Sequence, residues 1–496
     1  MRNQEINSKY VTEYLLYSPF GMKQKSKHRV EGSAVIADIR SAITSLPVVV
    51  ILSISAAIRV LINFLLLPNS PSMLGPDEAT YARLAKYVSQ GLPVEEFQIF
   101  GPALYNSTRS FTLPSAFLVK LGLQELTAVR TVASLYGFTS TFLMVLCYIA
   151  YLRLQNQSIQ KLSSDMNKKF IFFLALFAFL PSNFTWSTIG LRESGSQFWL
   201  IATFYLILKQ INSTGRALWK FTALSVLALM LAYGSRPQTA LVFSFVALLF
   251  SVAIILKFRK ILPLIAILIG IFAGQAFTAT PTTPTTPTTP TTPTTPTTPT
   301  TPTTPTTPTT PTTPTTPTTP TTPTTPTKSF LFNSLPNLNS LVKSLESTRN
   351  NNSIGAQSGL PITYCQGISK DMITIIKCNL SEFPYRLFAV LFRPLIFFDR
   401  GSTAFTFAAL ENLAWMILVP LSIWLSLRKR ETCVDRFINL GLTSFVLVFA
   451  SAAALYEGNL GTAFRHKSAI LWPLIFILLI TPSVLPKSRR ERNSVS

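Results

Sequence analysis

Two adjacent carboxylates and a tyrosine lie where a helix is expected to begin, and they could catalyse a proton transfer. The stretch Gly75–Ala85 reads GPDEATYARLA, in which Asp77 and Glu78 are followed by Tyr81 at helical spacing. A carboxylate beside a reacting hydroxyl can act as a general base. In the first turn of a helix, the helix dipole favours such anions. An alternative interpretation is that Asp77 only caps the helix.

Four further turns between apolar segments hold arginines, three of them together with acidic residues, whereas the intervening loops hold mainly Lys and Arg. Arginine can bind phosphate oxygens through two parallel hydrogen bonds. Converging acids and guanidiniums therefore indicate a polar cavity. We predict Asp77 and Glu78 as the catalytic residues. The predicted ligands of substrate or phosphate are Tyr81, Arg192, Glu193, Arg236, Arg393 and Arg465. We expect His466 to be a polar helix-end residue rather than a catalyst.

The composition places these residues in a membrane protein. Hydrophobic residues make up 48% of the 496 positions and charged residues 13%, whereas soluble domains average about 25% charged residues. The net charge of +23 does not indicate nucleic acid, because the basic residues form short clusters between apolar runs. A helix of about 17 to 25 apolar residues spans a bilayer. We predict an all-α integral membrane protein with about ten spans: 43–68, 127–152, 169–189, 195–210, 219–235, 238–257, 261–280, 404–427, 435–456 and 467–485.

The distribution of Lys and Arg predicts which ends of these spans face the cytoplasm. Basic clusters occur in alternate loops and in both tails, 1–42 and 487–496. Because cytoplasmic loops carry an excess of Lys and Arg, we place both termini in the cytoplasm and expect a multi-pass protein of the inner (plasma) membrane. The turns that contain the candidate site residues then lie on the opposite, non-cytoplasmic face.

The chain divides into segments by composition. A transmembrane module over 43–280 contains the first outer loop, 69–126, which we predict to be the catalytic loop and to hold a surface helix at 111–123. Residues 281–327 repeat Pro-Thr-Thr, which favours polyproline II, and form either an O-glycosylated stalk or a spacer. Residues 328–403 form an outer loop that ends in a re-entrant or interfacial helix at 384–398, and 404–486 hold the last spans.

Cysteine usage leaves one question open. Cys365 and Cys378 share a hydrophilic loop of the predicted outer face. They pair if that loop faces an oxidising compartment, and otherwise remain two thiols.

Span one followed by P-D-E-x-x-Y-A-x-x-A in the first outer loop resembles the GT-C glycosyltransferases. The likeness is to the branch of family 39, which contains protein mannosyltransferases and aminoarabinose transferases. It is sharp over Gly75–Ala85 and extends loosely to about residue 260. Such enzymes take a sugar from a polyprenyl-phosphate donor on the non-cytoplasmic side. The resemblance implies that Asp77 is the catalytic base and Glu78 a neighbouring polar contact.

The chain departs from that family in two places. The Lys-Pro-Pro element expected later in the first outer loop reads Gly101-Pro102-Ala103 and Leu113-Pro114, without the lysine. The C-terminal half, with Arg393 and Arg465, is more similar to bacterial polysaccharide-assembly membrane proteins. These departures leave the acceptor open among a glycan, a lipid and a protein of the cell envelope.

Several functional alternatives remain at this stage. A polysaccharide polymerase or ligase would use the same outer arginines on lipid-linked glycans, and a lipid or polysaccharide transporter would need discontinuous helices and an internal repeat. A non-catalytic scaffold is the fourth. Glu193 could pair with an arginine, or hold a divalent cation with Asp77 or Glu78. No tight ligand spacing in the sequence requires a metal.

Overall fold

The computed structural model describes residues 45–67, 77–97, 101–155, 165–279, 347, 349, 372–397, 399, 403–428 and 433–481. Of this part of the chain, 86% is helical and none forms a strand. The predicted all-α class is therefore confirmed. The tails, the Pro-Thr-Thr tract and Cys365 lie outside the described residues, while Cys378 is disulfide-bonded.

The helices are numbered here in chain order. They are α1 (Leu46–Leu61, continued by a π-turn at Ile62–Leu66), α2 (Asp77–Ser89), α3 (Gly101–Asn106), α4 (Arg109–Lys120), α5 (Glu125–Leu154), α6 (Asp165–Phe179), α7 (Pro181–Phe184), α8 (Glu193–Asn212), α9 (Gly215–Tyr233), α10 (Pro237–Phe258), α11 (Leu262–Thr278), α12 (Met372–Phe392), α13 (Thr403–Leu427), α14 (Cys433–Tyr456), α15 (Leu460–His466) and α16 (Ser468–Ile480).

The described helices include six that are long and apolar enough to cross a membrane. These are Leu46–Leu66, Glu125–Leu154, Gly215–Tyr233, Pro237–Leu256, Thr406–Leu427 and Val434–Tyr456. The pair α15 and α16, bent by 41°, would make a seventh. The structure thus supports six or seven spans by length and composition, against about ten predicted. The difference arises in segments such as α6, which ends before Pro181 because proline disfavours helix at the preceding residue.

Helix α16 lies in the centre of the bundle. Each of its residues from Ser468 to Ile480 is buried, as expected of a helix that is apolar on all sides. It packs against α6, α8, α13 and α14. Its Trp472 ring contacts aromatic side chains of three other helices, Phe204, Phe243 and Phe445.

Helices α5 and α8 run parallel and place their N-terminal ends at the same end of the bundle. Near these N-termini the ring of Tyr136 stacks on Phe198 at 5.2 Å. Near the C-termini the Asn212 side chain donates a hydrogen bond to the Ala150 carbonyl at 3.1 Å. Because α2 and α4 pack on α5, the predicted catalytic loop is fixed against the same end of the bundle.

Two glycines let α9 and α11 approach closely. A Cβ atom on Gly274 would lie 2.4 Å from Cδ2 of Tyr233, and one on Gly270 would lie 2.7 Å from Cδ2 of Leu229. Small residues four positions apart allow close helix contact in membranes. This contact fixes the end of α9 and therefore the turn that follows Tyr233.

Two predicted surface helices have counterparts in the structure. Helix α4, Arg109–Lys120, covers most of the predicted 111–123 segment but is more than a surface helix, because Phe111 is fully buried. The predicted re-entrant or interfacial helix at 384–398 is the second half of α12, which continues through Pro384 and ends at Phe392. Helix α12 is not among the six candidate spans.

Candidate active site

Six of the eight predicted site residues come together where α2, α8, α10 and α15 meet: Asp77, Tyr81, Arg192, Glu193, Arg236 and Arg465. We call this group the polar cluster. Nη1 of Arg465 donates to Oδ2 of Asp77 at 2.5 Å. The Asp77 side chain is 51% exposed, whereas that of Arg465 is 14% exposed. Asp77 is therefore the carboxylate of the cluster that an incoming molecule can reach.

A second ion pair lies deeper in the cluster. Nη1 of Arg236 donates to Oε1 of Glu193 at 2.9 Å, and both residues are buried. The other carboxylate oxygen of Glu193, Oε2, is buried and accepts no hydrogen bond. Glu193 opens α8, and Arg236 immediately precedes α10, whose first residue is Pro237. The pair therefore joins the N-terminal ends of two helices.

Contacts from α4 hold the turn that carries Arg236. The backbone N–H of Ser110 donates to the Gly234 carbonyl at 3.1 Å. The hydroxyl groups of Ser110 and Ser235 lie 2.5 Å apart. In addition, the Tyr136 hydroxyl donates to the Ser110 carbonyl at 2.6 Å. These hydrogen bonds connect the first loop, α5 and the turn after α9 into one support for the Arg236 guanidinium.

Arg192 and Tyr81 form the third part of the cluster. The Arg192 guanidinium lies 5.9 Å from the centre of the buried Tyr81 ring, and its Nη1 lies 3.4 Å from the Ser107 hydroxyl. Nε of Arg192 is buried and donates to no acceptor. A guanidinium with spare donors beside an aromatic ring is suited to binding an anion.

A glycine turn determines where Arg192 lies. Gly190 has a φ of +67°, a conformation that glycine adopts without steric cost. A Cβ atom at this position would also lie 2.9 Å from Cγ2 of Val129 and 3.0 Å from Oε1 of Glu78. The backbone before Arg192 can therefore pack directly against α2 and α5 only because residue 190 lacks a side chain.

The cluster shifts the ionisation of its members outside the predicted spans. Burial would raise the pKa of Glu193, which precedes the predicted span 195–210, but the positive charges of Arg236, Arg465 and Arg192 lower this pKa to about 2. Burial raises the pKa of Tyr81 to about 12. At neutral pH, Glu193 is therefore an anion that orients guanidiniums, and Tyr81 is a neutral phenol.

Glu78 is not part of the polar cluster, contrary to its predicted place beside Asp77. Its side chain is fully buried and paired with Arg130 of α5. Nε of Arg130 lies 2.7 Å from Oε1, and Nη2 lies 3.1 Å from Oε2. A carboxylate so enclosed holds α2 on α5, and this position supports a structural role for Glu78, while its catalytic role stays a prediction. Arg130 was not predicted as a partner of Glu78, although a charged residue within a predicted span indicates that it pairs with another charged group.

Arg393 is also held elsewhere, by the loop that follows α12. Its Nε donates to Oδ2 of Asp399 at 3.0 Å, and Nη1 donates to the Tyr385 hydroxyl at 2.6 Å. The Leu395 N–H also donates to Asp399, at 2.7 Å. None of the contacts described for the Arg393 side chain involves the polar cluster. Its predicted role as a phosphate ligand is therefore not supported by its position.

Comparison of the chain with family models, curated proteins and solved structures finds no match. The resemblance to the GT-C glycosyltransferases stays a prediction, and what the site can do rests on its geometry.

Buried groups that we did not predict as site residues adjoin the cluster. His466 follows Arg465 and is the last residue of α15, as expected of a polar helix-end residue, but it is buried, with its Nδ1 3.1 Å from the Tyr456 hydroxyl and in contact with Glu457. Lys467 is buried as well, and its Nζ donates to Oδ1 of Asn412 at 2.6 Å and to the Arg393 carbonyl at 2.9 Å. These contacts hold α15 in place. In the sequence, the three adjacent basic residues Arg465, His466 and Lys467 indicated that this segment has polar partners.

The described residues include no group of three or more His, Cys, Asp or Glu side chains that could hold a metal ion. Glu193 pairs with Arg236 and Glu78 with Arg130, so the divalent site suggested for these acids is not assembled. The polar cluster instead combines three guanidiniums with two carboxylates, one of them accessible. Such a site can bind an anionic group and accept a proton beside it.

Proposed function

We propose that this chain is a membrane glycosyltransferase that moves a sugar from a polyprenyl-phosphate-linked donor to a cell-envelope acceptor on the non-cytoplasmic face. One observation carries the proposal: the accessible carboxylate of Asp77 pairs with Arg465, one of three guanidiniums that distant parts of the chain contribute to the same cluster. Transfer from a lipid phosphate needs a base for the acceptor and positive charge for the leaving phosphate. The polar cluster contains both.

In the proposed reaction, the acceptor hydroxyl attacks the anomeric carbon and its proton passes to Asp77. The bond between the anomeric carbon and the phosphate oxygen breaks, and the electron pair leaves with the lipid phosphate. Arg192, Arg236 and Arg465 stabilise the phosphate, because fixed donors aimed at developing charge lower the barrier. Arg465 pairs with Asp77 in the free protein, so binding of the phosphate would draw this guanidinium away and free the carboxylate.

We further propose the ten-span topology with both termini in the cytoplasm of the inner membrane. The six candidate spans would be joined by the shorter α6, α11 and α16 and by α8, whose first turn is polar, and the polar cluster would lie on the outer face. A cysteine in place of exposed Glu95 should react with a membrane-impermeant reagent only from outside, and one in place of exposed Lys220 only from the cytoplasmic side. The reverse pattern would contradict the proposed sidedness.

The catalytic proposal is tested with Asp77→Asn in proteoliposomes supplied with a polyprenyl-phosphate sugar. Loss of a general base lowers rates by about 10² to 10⁴-fold, and we expect a decrease in this range. Glu95→Gln is the matched control, because Glu95 is an exposed acid of the same loop. Wild-type transfer by a folded Asp77→Asn protein would refute the assignment. If the protein transferred only whole oligosaccharides, it would be a polymerase or ligase. If it moved lipid across the bilayer without forming a bond, it would be a transporter.

A further inference from the structure

A small basic pocket lies at the end of the bundle opposite the polar cluster. It is formed between α5 and α8 and is lined by Leu146, Ile149, Ala150, Arg153, Tyr205 and Lys209. Lys209 is about 24 Å from Glu193 along α8, given a rise of about 1.5 Å per residue. Because α5 and α8 run parallel, Arg153 is at the same end. The pocket is therefore separate from the proposed active site.

Two cations share this pocket. The charges of Arg153 and Lys209 are close enough to repel each other, and the charge of Arg153 also acts on Tyr205. Nζ of Lys209 lies 5.3 Å from the centre of the Phe221 ring, and Lys209 takes part in none of the ion pairs found in the described part of the chain. Both side chains therefore bring positive charge to the same partly buried place.

The surroundings of the two cations are those of a membrane interface. Leu146, Ile149 and Ala150 form an apolar wall that begins one turn before Arg153 and continues toward the middle of the bundle. Trp219, at the start of α9, is 64% exposed, and tryptophan is enriched at the level of lipid headgroups. The pocket thus places positive charge at headgroup depth and an apolar surface at the depth of acyl chains.

We propose that Arg153 and Lys209, which line this pocket, bind the phosphate headgroup of an anionic membrane phospholipid at its surface, since the pocket itself has a volume of only about 10 Å³. Arg153 and Lys209 contact the phosphate, the Tyr205 hydroxyl donates to it, and one acyl chain lies along Leu146 and Ile149. Basic pockets between transmembrane helices on the cytoplasmic side bind such headgroups. The apolar wall below the cations favours a lipid over a free anion. This site is independent of the proposed transferase activity, and either proposal can fail without the other.

The test compares binding of phosphatidylglycerol and phosphatidylcholine to the full chain by native mass spectrometry. We expect the wild type to prefer phosphatidylglycerol and Arg153→Gln/Lys209→Gln to lose about tenfold or more of that preference, since each basic residue near a charged headgroup contributes about fivefold. The conservative exchange Arg153→Lys/Lys209→Arg should keep it. The matched control is Arg216→Gln/Lys220→Gln, which removes two exposed cations from the adjacent start of α9.

Two results would overturn the proposal. An equal loss of preference in the control variant would mean that general surface charge, not the pocket, attracts the lipid. Displacement of phosphatidylglycerol by millimolar inorganic phosphate would mean that the pocket selects a free anion. An unchanged melting temperature of each variant in phosphatidylcholine shows that the fold is kept. If the pocket variant unfolds, Tyr205→Phe, which removes one hydroxyl, should weaken the preference while leaving both charges, and no change would refute the proposed contact.

Discussion

Asp77 and Arg465 form an ion pair of 2.5 Å although they are 388 positions apart in the chain. Asp77 opens α2 in the first loop, and Arg465 lies in the short helix α15 before the last described helix. The accessible carboxylate of the cluster is thus controlled by a residue of the opposite half of the sequence. This pairing joins the two halves of the sequence at one cluster and gives rise to the first prediction.

Replacing Arg465 should impair the proposed transfer more than it impairs folding. Loss of one donor to developing charge costs about 10² to 10³-fold in rate, and we expect Arg465→Gln to lower kcat/KM in this range. Arg465→Lys should recover only part of it, because lysine lacks the planar fork of donors. Initial rates in proteoliposomes provide the measurement. Arg83→Gln, on an exposed position of α2, is the control, and similar rates for both glutamine variants would contradict the prediction.

Glu78 and Arg130 should behave as a structural pair in a double-mutant cycle. Removing one partner leaves an uncompensated buried charge, which typically costs about 3 to 5 kcal/mol. We expect Glu78→Gln and Arg130→Met each to lower the melting temperature in detergent strongly, and the double variant Glu78→Gln/Arg130→Met to be destabilised by less than the sum of the two single variants. The folded fraction of Glu78→Gln should transfer sugar at close to the wild-type rate. A folded protein without activity would restore Glu78 as a catalytic candidate.

The loop after α12 should lose protection in acid. Burial would raise the pKa of Asp399, but the hydrogen bonds from Arg393 and from the Leu395 N–H lower it below its usual value. A lowered folded-state pKa gives stability that is present above the unfolded value of about 3.9 and is lost as the pH falls further. Asp399→Asn should therefore increase hydrogen exchange of residues 393–397 at pH 7, and the difference in protection factor should shrink below about pH 4.

If the protection factors of residues 393–397 differed between wild type and Asp399→Asn by the same amount from pH 7 to pH 3, the result would contradict this prediction. Glu96→Gln serves as the control, because Glu96 is exposed and outside the loop. Its protection factors over 393–397 should equal those of the wild type throughout.

Gly274→Ala should destabilise the contact between α9 and α11. Its Cβ would overlap the Tyr233 side chain, with Cγ only 2.6 Å away, and overpacking of this kind costs about 1 to 3 kcal/mol. Tyr233 also precedes the turn that holds Arg236, so transfer activity should fall as well. The control is Ala276→Val, which adds two methyl groups to an exposed face of α11. Equal melting temperatures of the two variants would show that α9 and α11 can separate without cost.

The class of fold and most of the candidate site were accessible from local patterns in the sequence. Apolar runs predicted the helices, and a helix occurs within each of the ten predicted spans. Eight site residues were expected together because they lie in turns of the same predicted side, and the structure brings six of them together. The count of ten spans stays a prediction, since six or seven of the described helices are long and apolar enough to cross a membrane and the others are shortened by breaks such as Pro181 or begin with a polar turn, as α8 does.

The sequence by itself determined that this chain is an all-α membrane protein in which acids and arginines gather at one end of the helices, because hydropathy and charge are properties of each segment. Only the tertiary structure decided which acid is accessible. Adjacent positions on a helix point about 100° apart, so Asp77 faces Arg465 while Glu78 faces Arg130. Which of the two carboxylates is accessible depends on the helix that packs against each face of α2. That helix comes from a distant part of the chain.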